Sequence, residues 1–119
     1  MAPNGFLSTV KEYSMANTFH LYDLRVTVHE IKGRSVCGMK VGDWFEVRRS
    51  SQLVLPEGRH FCLFALAAIL PLLPAKQREL SKADWLDSDN LVACPDPEEG
   101  LIMRIERLEQ LAYEKRDLT

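Results

Sequence analysis

The residues of this chain best suited to chemistry are its three cysteines, Cys37, Cys62 and Cys94. A thiol can act as nucleophile, as proton donor or acceptor, or as ligand to a soft metal ion. Their local sequence places each at the end of an element. Cys37 falls in the turn between the first two strands, Cys62 in the first turn of an apolar helix, and Cys94 at the close of a short strand, just before Pro95. Functional groups gather at such ends, because a rigid scaffold positions them while a loop gives access. A helix N-terminus also favours a thiolate, so Cys62 is the expected reactive thiol. Arg59 and His60 precede it closely, and Glu57 stands one residue before Gly58. His60 or Glu57 would handle a proton, and Arg59 would hold an anionic group.

The same residues support a metal reading. Zinc accepts three thiolates and one imidazole, so Cys37, Cys62, Cys94 and His60 form a candidate ligand set. No CxxC knuckle accompanies them, and the spacings between the cysteines are long. Asp84, Asp87 and Asp89 cluster as oxygen ligands would, but lack the glycine hinge and terminal glutamate of a calcium loop. They read as solvated loop. His20 and His29 read as surface histidines, and Asp43 as a carboxylate serving its turn. The sequence carries no GxGxxG, Walker A, HExxH or GxSxG pattern, which argues against nucleotide cofactors and the usual hydrolase machinery. No cofactor is therefore expected on the enzyme reading, and zinc on the alternative.

Composition bounds what can position these groups. The chain has 119 residues, 15 basic and 17 acidic, for a net charge of −2. That balance does not suit a nucleic-acid binder working through counterion release. Hydrophobic residues make up 46%, too many for a disordered chain. An odd number of cysteines argues against a closed disulfide framework and for free thiols in a reducing compartment, here the cytoplasm. The longest mostly apolar run, Phe61 to Ala75, is shorter than the ~18–20 residues of a membrane span and contains Pro71 and Pro74. No secretory signal is visible, and no membrane association is expected.

The elements follow from periodicity. Leu21 to Ile31 alternates apolar Leu24, Val26 and Val28 with polar neighbours and predicts a strand. Gly42 allows a reversal before a second strand, Trp44 to Arg48. Ser50 to Gln52 then reads as loop. Arg59 to Leu70 reads as a helix apolar all round, which must be buried on more than one face. A second copy of the chain through residues 61–70 or the C-terminal helix would cover its outer side. Pro71 and Pro74 should end it, with a short polar helix through Lys76 to Leu80. Leu91 to Ala93 and Leu101 to Glu106 read as strands, and Arg107 to Lys115 as a helix with Leu108, Leu111 and Ala112 on its apolar side. The expected class is α+β: a two-layer, mostly antiparallel small sheet packed on an apolar central helix, with a C-terminal helix. Residues 1–15 read as a flexible extension and 16–119 as the single domain; a small barrel is the alternative architecture.

Four strings carry a resemblance: Leu24-Arg25-Val26-Thr27-Val28, Lys40-Val41-Gly42-Asp43-Trp44-Phe45, Pro56-Glu57-Gly58 followed by Cys62, and Ala93-Cys94-Pro95-Asp96-Pro97. In this order they resemble a family of small uncharacterised microbial proteins of about this length. Its members place a cysteine turn before K-V-G-D-x-F, then E-G…C and C-P-D segments. The likeness runs from about Phe19 to Leu108. It implies that Cys62 and Cys94 are recurring cysteine positions. Anchored on Lys40, the family's turn cysteine falls on Ser35 and its histidine on Met39, so Cys37 is displaced by two residues.

The reading that follows is a small cofactor-independent enzyme of lyase, isomerase or cyclase type, acting on a small organic molecule. Its pocket would form where Cys37, Cys62 and Cys94 approach one another, roofed by Trp44 and Phe61. The alternatives are a metal-binding module using the three cysteines, with or without His60, and a non-catalytic oligomeric accessory subunit.

Overall fold

The computed structural model describes residues 17–118. The expected N-terminal extension, residues 1–15, lies outside them. The fold is α+β, with a five-stranded antiparallel sheet and a few short helices. Strands β1 (Thr18–Ile31), β2 (Trp44–Arg48), β3 (Gln52–Val54), β4 (Leu91–Ala93) and β5 (Leu101–Glu114) lie in the order β3-β2-β1-β5-β4. Helices α1 (Leu63–Ile69), α2 (Leu73–Lys76) and α3 (Trp85–Ser88) occupy the long connection between β3 and β4. Among the described residues no helix is long and apolar enough to cross a membrane.

The alternation of β1 does what its period requires. Leu24, Val26 and Val28 are buried, and Val26 pairs with Phe45 on one side and Ile105 on the other. Ala65 and Ile69 of α1 and Leu73 of α2 share one buried cluster with these residues, Leu101 and Met103. The opposite sheet face is polar. Arg25 stacks 4.8 Å over the Trp44 ring and pairs with Glu46, which also takes Arg48.

The C-terminal helix expected over Arg107 to Lys115 is instead the second half of β5, paired with β1 out to Thr18↔Glu114. A bulge explains the misreading. Tyr22 pairs with Gln110 and Leu24 with Arg107, so Leu108 and Glu109 together stand opposite the single Asp23. An extra residue breaks the period of two and leaves Leu108, Leu111 and Ala112 at helical spacing. Arg107 fixes the extended form from its side chain. Nε donates to Lys76 O at 2.8 Å, Nη2 to Arg78 O at 2.9 Å, and the guanidinium lies 5.1 Å over the Tyr22 ring.

The central helix is also shorter than its apolar run. Arg59, His60 and Phe61 are not helical, and α1 begins only after Cys62. Pro71 and Pro74 do not end the helical path. Each sits in the first turn of a new short segment, the 3-10 turn Leu70–Leu72 and then α2, where a missing N–H and a fixed φ cost nothing. The polar helix expected through Lys76 to Leu80 is therefore replaced by α2. Beyond the expected strands, Gln52–Val54 adds an exposed edge strand after a turn in which Arg49 and Ser50 both have positive φ. Asp23 Oδ1 accepts the Arg49 N–H at 3.0 Å and holds that strained turn.

Candidate thiol and carboxylate site

The three cysteines, separated by 25 and 32 residues in the sequence, line one pocket. Its volume is about 430 Å³, and Val36, Phe64 and Glu99 complete most of its wall. A different device brings each sulfur there. Cys37 sits in a turn organised by Ser35, whose Oγ accepts the Met39 N–H at 3.0 Å and lies 3.4 Å from Cys37 Sγ. Gly38 takes the positive φ of +76° that this turn needs. Cys62 is the N-cap of α1, with extended backbone and a carbonyl that accepts the Leu66 N–H. Cys94 follows β4 and keeps one ladder bond, its N–H donating to Leu101 O at 2.9 Å.

Glu99 ties two of the sulfurs together. Cys94 Sγ donates to Glu99 Oε1 at 3.4 Å, and Cys37 Sγ reaches Glu99 Oε2 at 3.8 Å. Cys62 is near enough to Cys37 to help raise its pKa. The Glu99 side chain is delivered by the Cys94–Gly100 turn. Asp96 Oδ1 accepts the N–H groups of Glu98 and Glu99, Gly100 N–H closes onto Asp96 O, and Gly33 N–H holds Glu99 O at 2.8 Å. Glu99 is only 3% exposed, and among the described residues it forms no salt bridge.

Burial and negative neighbours set the protonation of the thiols. Desolvation pushes the Cys37 thiol above its ordinary value, aided by Cys62 and the charge of Glu99 and opposed by Ser35. Desolvation likewise raises Cys94, with acceptance by Glu99 and its charge adding to the effect, and a backbone bond to Asp96 opposing it. Both are therefore held as S–H at neutral pH. They are proton donors first and nucleophiles only after losing a proton.

The other residues singled out in the sequence lie elsewhere. His60 Nε2 is 2.7 Å from the Cys37 carbonyl, so His60 buttresses the turn through its backbone and does not line the pocket. Arg59 is paired with Asp43 at 2.5 Å, and Glu57 is exposed. Trp44 lies under Arg25 on the polar sheet face. Phe61 packs edge-on against Phe45, with centroids 4.8 Å apart. The aromatic at the pocket is Phe64, which is 68% exposed. Met39 is buried in the core. Glu99 is the residue that sequence reasoning passed over. Its signal was a carboxylate five residues beyond Cys94, in a turn closed by Asp96 and Gly100. Among the described residues, no group of three or more His, Cys, Asp or Glu stands arranged to hold a metal ion.

Comparison with family models, with curated proteins and with solved structures found no match to this chain.

Proposed function

We propose that this pocket is the active site of a small enzyme that needs no cofactor and moves a proton on a small, largely apolar organic molecule, as an isomerase or lyase does. The observation that carries this reading is the buried Glu99 carboxylate, with one oxygen on the Cys94 thiol and the other toward Cys37. A base and two acids thus share one hydrogen-bonded unit at the wall of an accessible cavity. Glu99 takes a proton from a carbon of the substrate. A thiol gives its proton to the atom on which charge develops. The carboxylic acid then returns its proton to the thiolate across the existing hydrogen bond, and the site is restored with no net proton consumed. Raised thiol pKa values suit the acid role, because the S–H is kept until charge develops beside it. No basic side chain lines the cavity, which favours an uncharged substrate over an anion. Its volume fits a small ligand.

The test needs no prior substrate. A panel of small ketones, enones and hydroxy compounds is incubated with the protein in deuterium oxide, and exchange of carbon-bound hydrogen is followed by NMR. The reading expects at least one compound to exchange with the native chain and to stop with Glu99→Gln. Exchange that persists undiminished in Glu99→Gln, or a panel on which the native chain is inert, overturns it.

A further inference from the structure

We infer that Cys37, Cys62 and Cys94 together form a binding site for a trivalent arsenic oxyacid, with arsenite as the ligand. The inference rests on the three sulfurs and not on the proton chemistry proposed for Glu99. Three thiols drawn from three distant segments line one small cavity. All three are free; Val36, Phe64 and Pro95 make the rest of the lining apolar apart from the carboxylates Asp96 and Glu99. Such a trio selects its ligand by charge as much as by softness.

A divalent cation bound by three thiolates would leave a net negative complex beside the buried Glu99, in a pocket that already disfavours thiolate. Arsenite avoids that cost. It enters as neutral As(OH)3. Three As–O bonds break and three As–S bonds form, and each thiol proton leaves on a hydroxyl as water. The products are As(SR)3 and three waters. Arsenic stays trivalent, no electrons are exchanged, and the bound complex carries no charge. Its trigonal pyramid takes three donors and needs no fourth, so His60, turned to the Cys37 carbonyl, is not missed.

The sulfurs are not gathered as ligands before arsenic binds, so the ligand must draw them together. Cys37 is on the turn between β1 and β2, Cys62 is the cap before α1, and Cys94 comes directly after β4. None is locked inside a helix or strand. Cys37 and Cys94, already linked through Glu99, supply two of the bonds, and Cys62, on the same pocket wall, supplies the third.

The experiment titrates arsenite into the full chain under reducing conditions, followed by mass spectrometry and by alkylation of the cysteines with peptide mapping. The expected result is a mass gain of one arsenic less three hydrogens at one equivalent, with all three cysteines protected together. Replacing any one cysteine by serine should weaken binding about 100-fold, the loss of one tethered donor. Circular dichroism separates that from unfolding. Protection of only one or two cysteines in the native chain overturns the inference, as does zinc binding as tight as arsenite. Glu99→Gln keeps the arsenic adduct while abolishing deuterium exchange, so the two readings fail separately.

Discussion

Cys94 Sγ donates to Glu99 Oε1 across 3.4 Å, between residues only five positions apart. A carboxylate buried to 3% exposure would ordinarily recruit a cation. Here its acceptors are met by weak thiol donors, Cys94 at one oxygen and Cys37 at the other. The pairing has two consequences. It keeps the thiols protonated, and it keeps a basic oxygen in contact with the cavity.

Both thiols sit above their ordinary value, and Glu99 contributes to each shift by its negative charge. Glu99→Gln removes the charge and places an amide donor near the sulfurs, which favours thiolate. The pH profile of iodoacetamide alkylation at Cys94 and Cys37 should therefore move to lower pH, with faster labelling at neutrality. An unchanged profile would show that burial alone sets the thiols. The native fold, conversely, should weaken as pH rises above the ordinary thiol value of 9.0. A group with a raised folded pKa contributes stability below its unfolded pKa and loses it as pH climbs through the folded one.

The turn that delivers Glu99 depends on Gly33. A Cβ on Gly33 would lie 1.9 Å from the Glu98 carbonyl oxygen, and that contact is backbone, which cannot rotate away. Gly33→Ala must push the Glu98–Gly100 segment outward and break the 2.8 Å bond from Gly33 N–H to Glu99 O. The expected cost is about 2–3 kcal/mol in denaturant unfolding, the upper range for overpacking. Faster alkylation of Cys94 should accompany it. A variant as stable as the parent, with unaltered labelling, would mean that the turn does not position the site.

How much of this was legible in the sequence depends on where each signal was stored. The alternation of Leu24, Val26 and Val28, and the strands at Trp44 and Leu91, are local patterns and were readable as such. The second half of β5 was not. Its bulge at Leu108 and Glu109 exists only because Asp23 of β1 stands opposite, so the misleading helical spacing of Leu108, Leu111 and Ala112 is a product of pairing. The cysteines were legible by type, but their meeting is tertiary. His60 and Arg59 drew attention by adjacency to Cys62. An extended backbone there sends His60 to the Cys37 carbonyl and Arg59 to Asp43. Glu99 was hidden because carboxylates in turns are common, and nothing local tells one that serves a turn from one that enters a cavity.

On the polar sheet face, Glu46 makes acid sensitivity predictable. Burial alone would raise its pKa, but hydrogen bonds and charge from Arg48 and Arg25 outweigh burial and lower it. A depressed carboxylate contributes stability above its ordinary value of 4.5 and loses it as pH falls through the folded pKa. Thermal unfolding of the native chain should therefore decline steeply in that acid window. Glu46→Gln should be less stable at neutral pH and show a shallower acid decline. Parallel acid profiles for the two proteins would remove Glu46 from the explanation.

Lys76 gives the opposite slope at the other end of the scale. It is 1% exposed in α2, and its Nζ donates to Leu86 O and, at 2.9 Å, to Asn90 Oδ1. Both acceptors are neutral. Desolvation, with the nearby Arg107 charge, pulls its pKa below the ordinary 10.5, and Asp87, Asp89 and Asp84 only partly oppose this. The unfolded chain thus binds the proton more tightly than the folded one. Stability from this group should rise with pH between the folded pKa and 10.5. Lys76→Met keeps the packed stem and removes the buried charge, so it should cost little and abolish that rise. Lys76→Ala empties the site and should cost about 2–4 kcal/mol. Native-minus-Met unfolding curves across alkaline pH isolate the lysine from the thiols, whose contribution falls in the same range. A flat difference curve would mean that Lys76 is neutralised alike in both states, and its burial would then carry no charge penalty.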